Sequence, residues 1–148
     1  MKTPRYLLVL LSIISVTGLF VGAYSFIHRA ASEQVYVFNC GVIDFKPNSL
    51  TQFCADANVG VADIKWETWG ANGATASATY ALNNCEPTCV AGTWKYADVK
   101  ISLSKPVTSQ GKTVLSRLDL KTTDSKEMLP MGTTNKDGWD LESKPLGK

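Results

Sequence analysis

The chain has 148 residues, of which 45% are hydrophobic and 19% charged, with a formal net charge of +2. Lys2 and Arg5 account for that net charge, so the chain after Ile27 is formally neutral. A neutral domain with dispersed charges lacks the basic surface that binds nucleic acid, and it also lacks a polybasic patch for anionic lipid.

The first notable element is an uncharged, largely apolar stretch from Leu7 to Ile27. A run of this length can cross the roughly 30 Å hydrocarbon core of a bilayer as a helix. We predict that residues 1–29 are either an uncleaved transmembrane anchor, oriented N-in and C-out, or a cleaved signal peptide. In both cases the remaining chain is extracytoplasmic, and it is either tethered to the membrane or secreted.

Alternation of apolar and polar residues dominates the next part of the chain, from residue 30 to residue 121. Period-two alternation of this kind is typical of half-buried antiparallel strands, and no stretch after residue 30 shows sustained helical periodicity. We therefore predict an all-β domain, a small antiparallel sandwich or barrel. The predicted strands cover residues 61–67, 76–82, 98–104 and 114–121, with shorter ones at residues 35–39 and 50–54.

The last segment, residues 122–148, opens with a polar stretch and then carries few large apolar residues, among them Trp139 and Leu141. We predict either a C-terminal tail or a final strand.

Four cysteines occur in the exported part, Cys40, Cys54, Cys85 and Cys89. An even number in an exported domain predicts two disulfides, and three pairings are possible. We favour Cys40–Cys54 with Cys85–Cys89, because Pro87 can set a tight turn between the second pair. A zinc site is disfavoured, since only the second pair has the close spacing of zinc ligands.

The centre of the chain carries the motifs C-A-D, W-x-x-W-G and C-x-P-x-C-x-x-G in order, within residues 54–56, 64–70, 74–78, 83–92 and 99–103. In these segments it resembles a group of small exported actinobacterial proteins of unknown function. Their pattern runs C-A-D, a W-x-x-W-G strand end, a Cys-x-Pro-x-Cys-x-x-Gly loop and a closing strand. The resemblance implies an exported β-domain with a bridged loop, and it carries no catalytic residues. Asn84 stands where that group often has aspartate.

Catalytic chemistry finds little support in the side chains. The single histidine, His28, lies at the edge of the apolar run, so triads that need a histidine base lack one in the folded domain. We expect no cofactor and no metal site. A carboxylate pair drawn from Asp56, Asp63 and Glu67 would permit hydrolysis of an envelope polymer, and this is the alternative function.

Aromatic residues give the positive indication of recognition. Trp66 has the parity of Ile64 and Ala62, which predicts a core position, whereas Trp69 has the opposite, polar parity. Trp94 and Tyr96 follow the cysteine loop. We predict that Trp69, Trp94 and Tyr96 form an exposed surface on a non-catalytic domain of the cell envelope, and that this surface binds a protein or a glycan.

Overall fold

The computed structural model describes residues 17–25 and 34–141. Residues 17–25 form a helix within a first unit, Met1–Glu33, and the strands belong to a second unit, Gln34–Lys148. Within the two described ranges, no helix has both the length and the apolar character that a membrane span requires. Most of the predicted anchor or signal segment, residues 1–16 and 26–29, lies outside the described residues.

Eight strands make up the second unit, and they confirm the predicted all-β class. Each of the four long predicted strands lies within one observed strand, because alternating apolar residues need a buried face. The strands are β1 (Val35–Asn39), β2 (Val42–Asp44), β3 (Leu50–Thr51), β4 (Val59–Gly70), β5 (Gly73–Asn83), β6 (Trp94–Ser109), β7 (Lys112–Thr122) and β8 (Lys136–Asp140).

All eight strands join one sheet in the order β2-β1-β7-β6-β5-β4-β3. Every neighbouring pair is antiparallel except β1 and β7, which run parallel through Val35 opposite Thr113. Strand β8 also pairs with β7, further along it, through Leu118 opposite Trp139. The tail after residue 122 thus contributes a strand to the sheet.

The sheet curls until its two ends come together. Strands β1 and β4 share no ladder, yet the indole nitrogen of Trp69 lies 2.9 Å from the carbonyl oxygen of Val35. The Cys40–Cys54 disulfide links the turn after β1 to the loop after β3. These links close the curled sheet around a core of buried residues from all the long strands.

Two irregularities in β4 correct one part of the sequence prediction. Its register with β5 shifts between Ala62 and Lys65, where Asp63 has a positive φ of 52°, and again between Trp66 and Thr68. Each bulge inserts one residue and reverses the parity of the strand that follows. Val61 and Ile64 are therefore both buried, and the prediction that Ala62 shares the face of Ile64 was wrong.

Candidate functional site

The polar face of the sheet carries two neighbouring open troughs. Along β6, exposed residues alternate with buried Ala97, Val99, Ile101 and Leu103, so one side of the strand faces solvent throughout. Strands β4, β5 and β7 present their own polar rows beside it. Because these rows lie about 4.8 Å apart, side chains from four or five strands can reach one ligand.

The first trough crosses the sheet from β4 to β8 and has a volume of about 450 Å³. The second lies beside it and has a volume of about 550 Å³. The polar side chains that line the first are Glu67, Thr75, Lys100, Ser102, Asp119, Lys121 and Lys136. The polar side chains that line the second are Asp63, Lys65, Ser77, Thr79, Asp98, Lys100 and Thr123.

An ion pair stands where the two troughs meet. Lys100 of β6 reaches across β5 to Glu67 of β4, and both side chains are nearly half exposed. Lys100 lines both troughs, whereas Glu67 lines the first. An exposed pair of this kind contributes little to stability. It sets the boundary between the troughs instead, and a ligand that displaced it would find one continuous surface.

Trp94 and Tyr96 extend the polar row of β6 beyond Asp98, which lines the second trough. Their side chains are 44% and 61% exposed. Pairing of β6 with β7 begins at Val99, so this part of β6 has a neighbour on the β5 side only. Two exposed rings on one face of a strand form an aromatic platform that is open to solvent.

Trp69 lies elsewhere, and its predicted position on the polar face was wrong. The second bulge turns it to the side of Ala74, its buried partner on β5. There its ring packs edge to face against Trp66 at 4.6 Å and against Phe45 at 5.8 Å. The structure thus separates the two tryptophans: Trp69 of β4 pairs with Ala74 at the start of β5, whereas Trp94 of β6 pairs with Asn83 at the end of β5.

Both predicted disulfides are present, Cys40–Cys54 and Cys85–Cys89. The second closes a loop that side chains also hold in place. Buried Asn83 donates to the Cys89 carbonyl oxygen at 2.9 Å and accepts from the Cys85 amide at 2.8 Å. Asn84 accepts from the Thr93 amide at 2.8 Å. This ordered loop leads directly into Trp94 and so fixes the start of β6.

The three carboxylates from which a catalytic pair could be drawn lie in different places. Asp63 lines the second trough, Glu67 lines the first and is paired with Lys100, and Asp56 in the loop before β4 lines neither. The second trough does contain another carboxylate, Asp98 of β6, whose register partner on β5 is Thr79. Sequence alternation placed Asp98 on a polar face but could not show which residue lies across from it.

Charged side chains at the β7–β8 end of the face form a network. Arg117 donates to Asp119 through Nε at 3.0 Å, and this hydrogen bond raises the pKa of the Arg117 guanidinium. Lys105 donates to Asp140 at 3.3 Å, and this bond, with the positive charges nearby, lowers the pKa of the Asp140 carboxyl. Asp119 and Asp140 are therefore both engaged by cations.

Comparisons with known proteins assign no family to the chain: no family model, no curated protein and no solved structure matches it. The resemblance to exported actinobacterial proteins therefore stays a prediction. Among residues 17–25 and 34–141, no group of three or more histidine, cysteine, aspartate or glutamate side chains is arranged to hold a metal ion.

Proposed function

We propose that the chain is a non-catalytic binding domain that works outside the cytoplasm and recognises a glycan of the cell envelope. The observation that carries this proposal is that two exposed rings, Trp94 and Tyr96, lie on the same side of β6 as Asp98, which lines the second trough. Aromatic rings stack on sugar rings, and neighbouring hydroxyl, carboxylate and ammonium groups bond sugar hydroxyls.

The lining of the second trough suits a polar ligand better than an apolar protein surface. Ser77 and Thr79 occupy its floor on β5, with the opposite charges Lys65 and Asp98 beside them. Interfaces with proteins are usually depleted of charged side chains at their centre. A protein partner is therefore the less favoured ligand, and its chemistry would have to match a hydrophilic face.

An extracytoplasmic location is supported by two features of the chain. Two disulfides persist in oxidising compartments and are rare in the cytosol. The apolar stretch before the domain has the length and basic flank of an export segment. Membrane attachment through that segment, with the domain on the outer side, or release after cleavage both fit this proposal.

Titration with a panel of oligosaccharides, followed by heteronuclear NMR, tests the proposal. We expect shifts at Thr79, Tyr96 and Asp98, and about a tenfold loss of affinity in Trp94→Ala and Tyr96→Ala, since stacking on one ring contributes on the order of 1 kcal/mol or more. Phe53→Ala is the matched control, because Phe53 is an exposed aromatic that lines neither trough. Binding that survives both substitutions would overturn the proposed surface.

Hydrolysis of an envelope polymer is the second candidate, and one observation favours it. Asp63 and Asp98 both line the second trough, and they belong to β4 and β6, the strands on either side of β5. Inverting glycosidases use two carboxyl groups on one site, far enough apart to leave room for a water molecule. Turnover of cell-wall fragments that disappears in both Asp63→Asn and Asp98→Asn would establish an enzyme. Equal product from wild type and variants would exclude it.

A further inference from the structure

Two lysines lie directly opposite each other at the β8 end of the first trough. Lys121 of β7 and Lys136 of β8 are register partners in an antiparallel ladder, and both are exposed and line the trough. Like charges at directly opposite positions of an antiparallel pair destabilise a sheet. The chain thus places two ammonium groups together at a position where neutral residues would serve folding better.

Neighbouring carboxylates do not neutralise this pair. Asp119, which lines the same trough, is held by Arg117 at 2.9 Å. That contact passes over Gly138, where an added Cβ would come within 2.4 Å of the Asp119 carboxylate. Glu67, at the other end of the trough, is paired with Lys100. In residues 34–141 no ion pair involves either Lys121 or Lys136.

We propose that Lys121 and Lys136 bind an anionic substituent, a carboxylate or a phosphate, on an acidic polysaccharide that lies in the first trough. Two ammonium groups on adjacent strands can each donate to one anionic group, and such charge-assisted hydrogen bonds are the strong ones. Thr75 and Ser102 lie along the same trough and supply hydroxyls for the sugar next to that substituent.

This inference rests on the proposed glycan-binding function and narrows its ligand to an acidic chain. The uncharged sugars of this polysaccharide would continue past the Glu67–Lys100 pair toward Tyr96. Contacts with the two lysines would then set which polymer binds, while the aromatic platform would hold any sugar ring. The charge and the stacking contributions can therefore be separated by experiment.

The test uses the full chain and three probes of matched length: an oligogalacturonate, a fully methyl-esterified oligogalacturonate and an oligomer of glycerol phosphate. Titration calorimetry gives affinity, and NMR maps the site. We expect the anionic probes to shift the NMR signals of the Lys121 and Lys136 amides. Either substitution, Lys121→Gln or Lys136→Gln, should weaken binding of the anionic probes about tenfold. Lys95→Gln is the matched control, an exposed lysine of β6 that lines neither trough.

The outcomes of this test distinguish the anion site at Lys121 and Lys136 from glycan binding in general. A preference for the carboxylated or for the phosphorylated probe identifies the substituent and supports the site. Equal affinity for charged and esterified chains, unchanged in both glutamine variants, overturns the anion site but leaves glycan binding in place. If no probe shifts Lys121 or Lys136 and none shifts Tyr96, the anion site and the proposed function are both wrong.

Discussion

The indole N–H of Trp69 donates a 2.9 Å hydrogen bond to the carbonyl oxygen of Val35, and this bond joins the end of β4 to the start of β1. Trp66 makes an equivalent bond to the Pro47 carbonyl at 3.0 Å. The two indoles also contact each other edge to face. The two indoles therefore form a seam of side-chain contacts from β4 to β1 and to the loop before β3, and no backbone ladder joins β4 to β1.

Replacing Trp69 tests this seam. Trp69→Phe removes the donor but keeps a ring, and we expect it to lower the free energy of unfolding by about 1 kcal/mol. Trp69→Ala also leaves a cavity and should cost about 3 kcal/mol. Chemical denaturation measures both values. Trp94→Phe is the control, and its exposed position predicts a change within about 0.5 kcal/mol; equal effects at the two tryptophans would contradict the assignment.

Removal of the two disulfides should have unequal effects on stability. Cys40 and Cys54 are separated by 14 positions and Cys85 and Cys89 by four. Since the longer loop restricts the unfolded chain more, the double serine variant of the first pair should lose about 3 kcal/mol and that of the second about 2 kcal/mol. Urea denaturation of the two double variants decides the order. A larger loss at Cys85–Cys89 would show that the loop stabilises the domain through native contacts instead.

Gly92 is a further point at which the cysteine loop can be tested. An added Cβ would lie 2.1 Å from the side-chain oxygen of Asn83, the buried residue that bonds both half-cystines of the loop. Gly92→Ala should therefore displace Asn83 and cost about 1–3 kcal/mol, the penalty for unpaired buried polar groups. Hydrogen exchange of the Cys85 amide reports this directly. Ala91→Gly, at the exposed neighbouring position, should leave that amide protected.

Stability should fall at alkaline pH because of Tyr80. Its phenol lies in the core, and burial, together with the negative charge of Asp137, raises the pKa of that hydroxyl above its usual value of 10.0. Above pH 10 the unfolded chain loses this proton while the folded chain keeps it, so the stability present below pH 10 declines as pH rises.

Unfolding curves at several alkaline pH values would reveal this decline, and Tyr80→Phe should reduce it. Asp137→Asn should remove the smaller contribution to the raised pKa of Tyr80 and leave the larger one, which comes from burial. An alkaline decline of the same steepness in Tyr80→Phe and wild type would assign the effect to other groups.

Sequence alternation located the long strands because each buries one face of a period-two pattern. Alternation gave the wrong face for Trp69, because a bulge changes which face of the strand the later side chains occupy. Nothing in the local sequence marks residues 63 and 67 as bulged. The short strands β2 and β8 are held in the sheet by pairing with β1 and β7, and their own sequences show no clear alternation. The troughs could not be foreseen for the same reason: Lys121 and Lys136 become neighbours only through a register between distant strands.

The parallel pairing of β1 with β7 has a consequence for the order in which the domain is assembled. The first strand of the domain finds its place in the sheet only beside a strand that is synthesised near the end. A chain emerging from its N-terminus can form the β4–β6 meander early, whereas closure awaits β7. Until β7 has been made, β1 can pair with β2 alone, and the core residues that β1 supplies have no complete sheet to pack into.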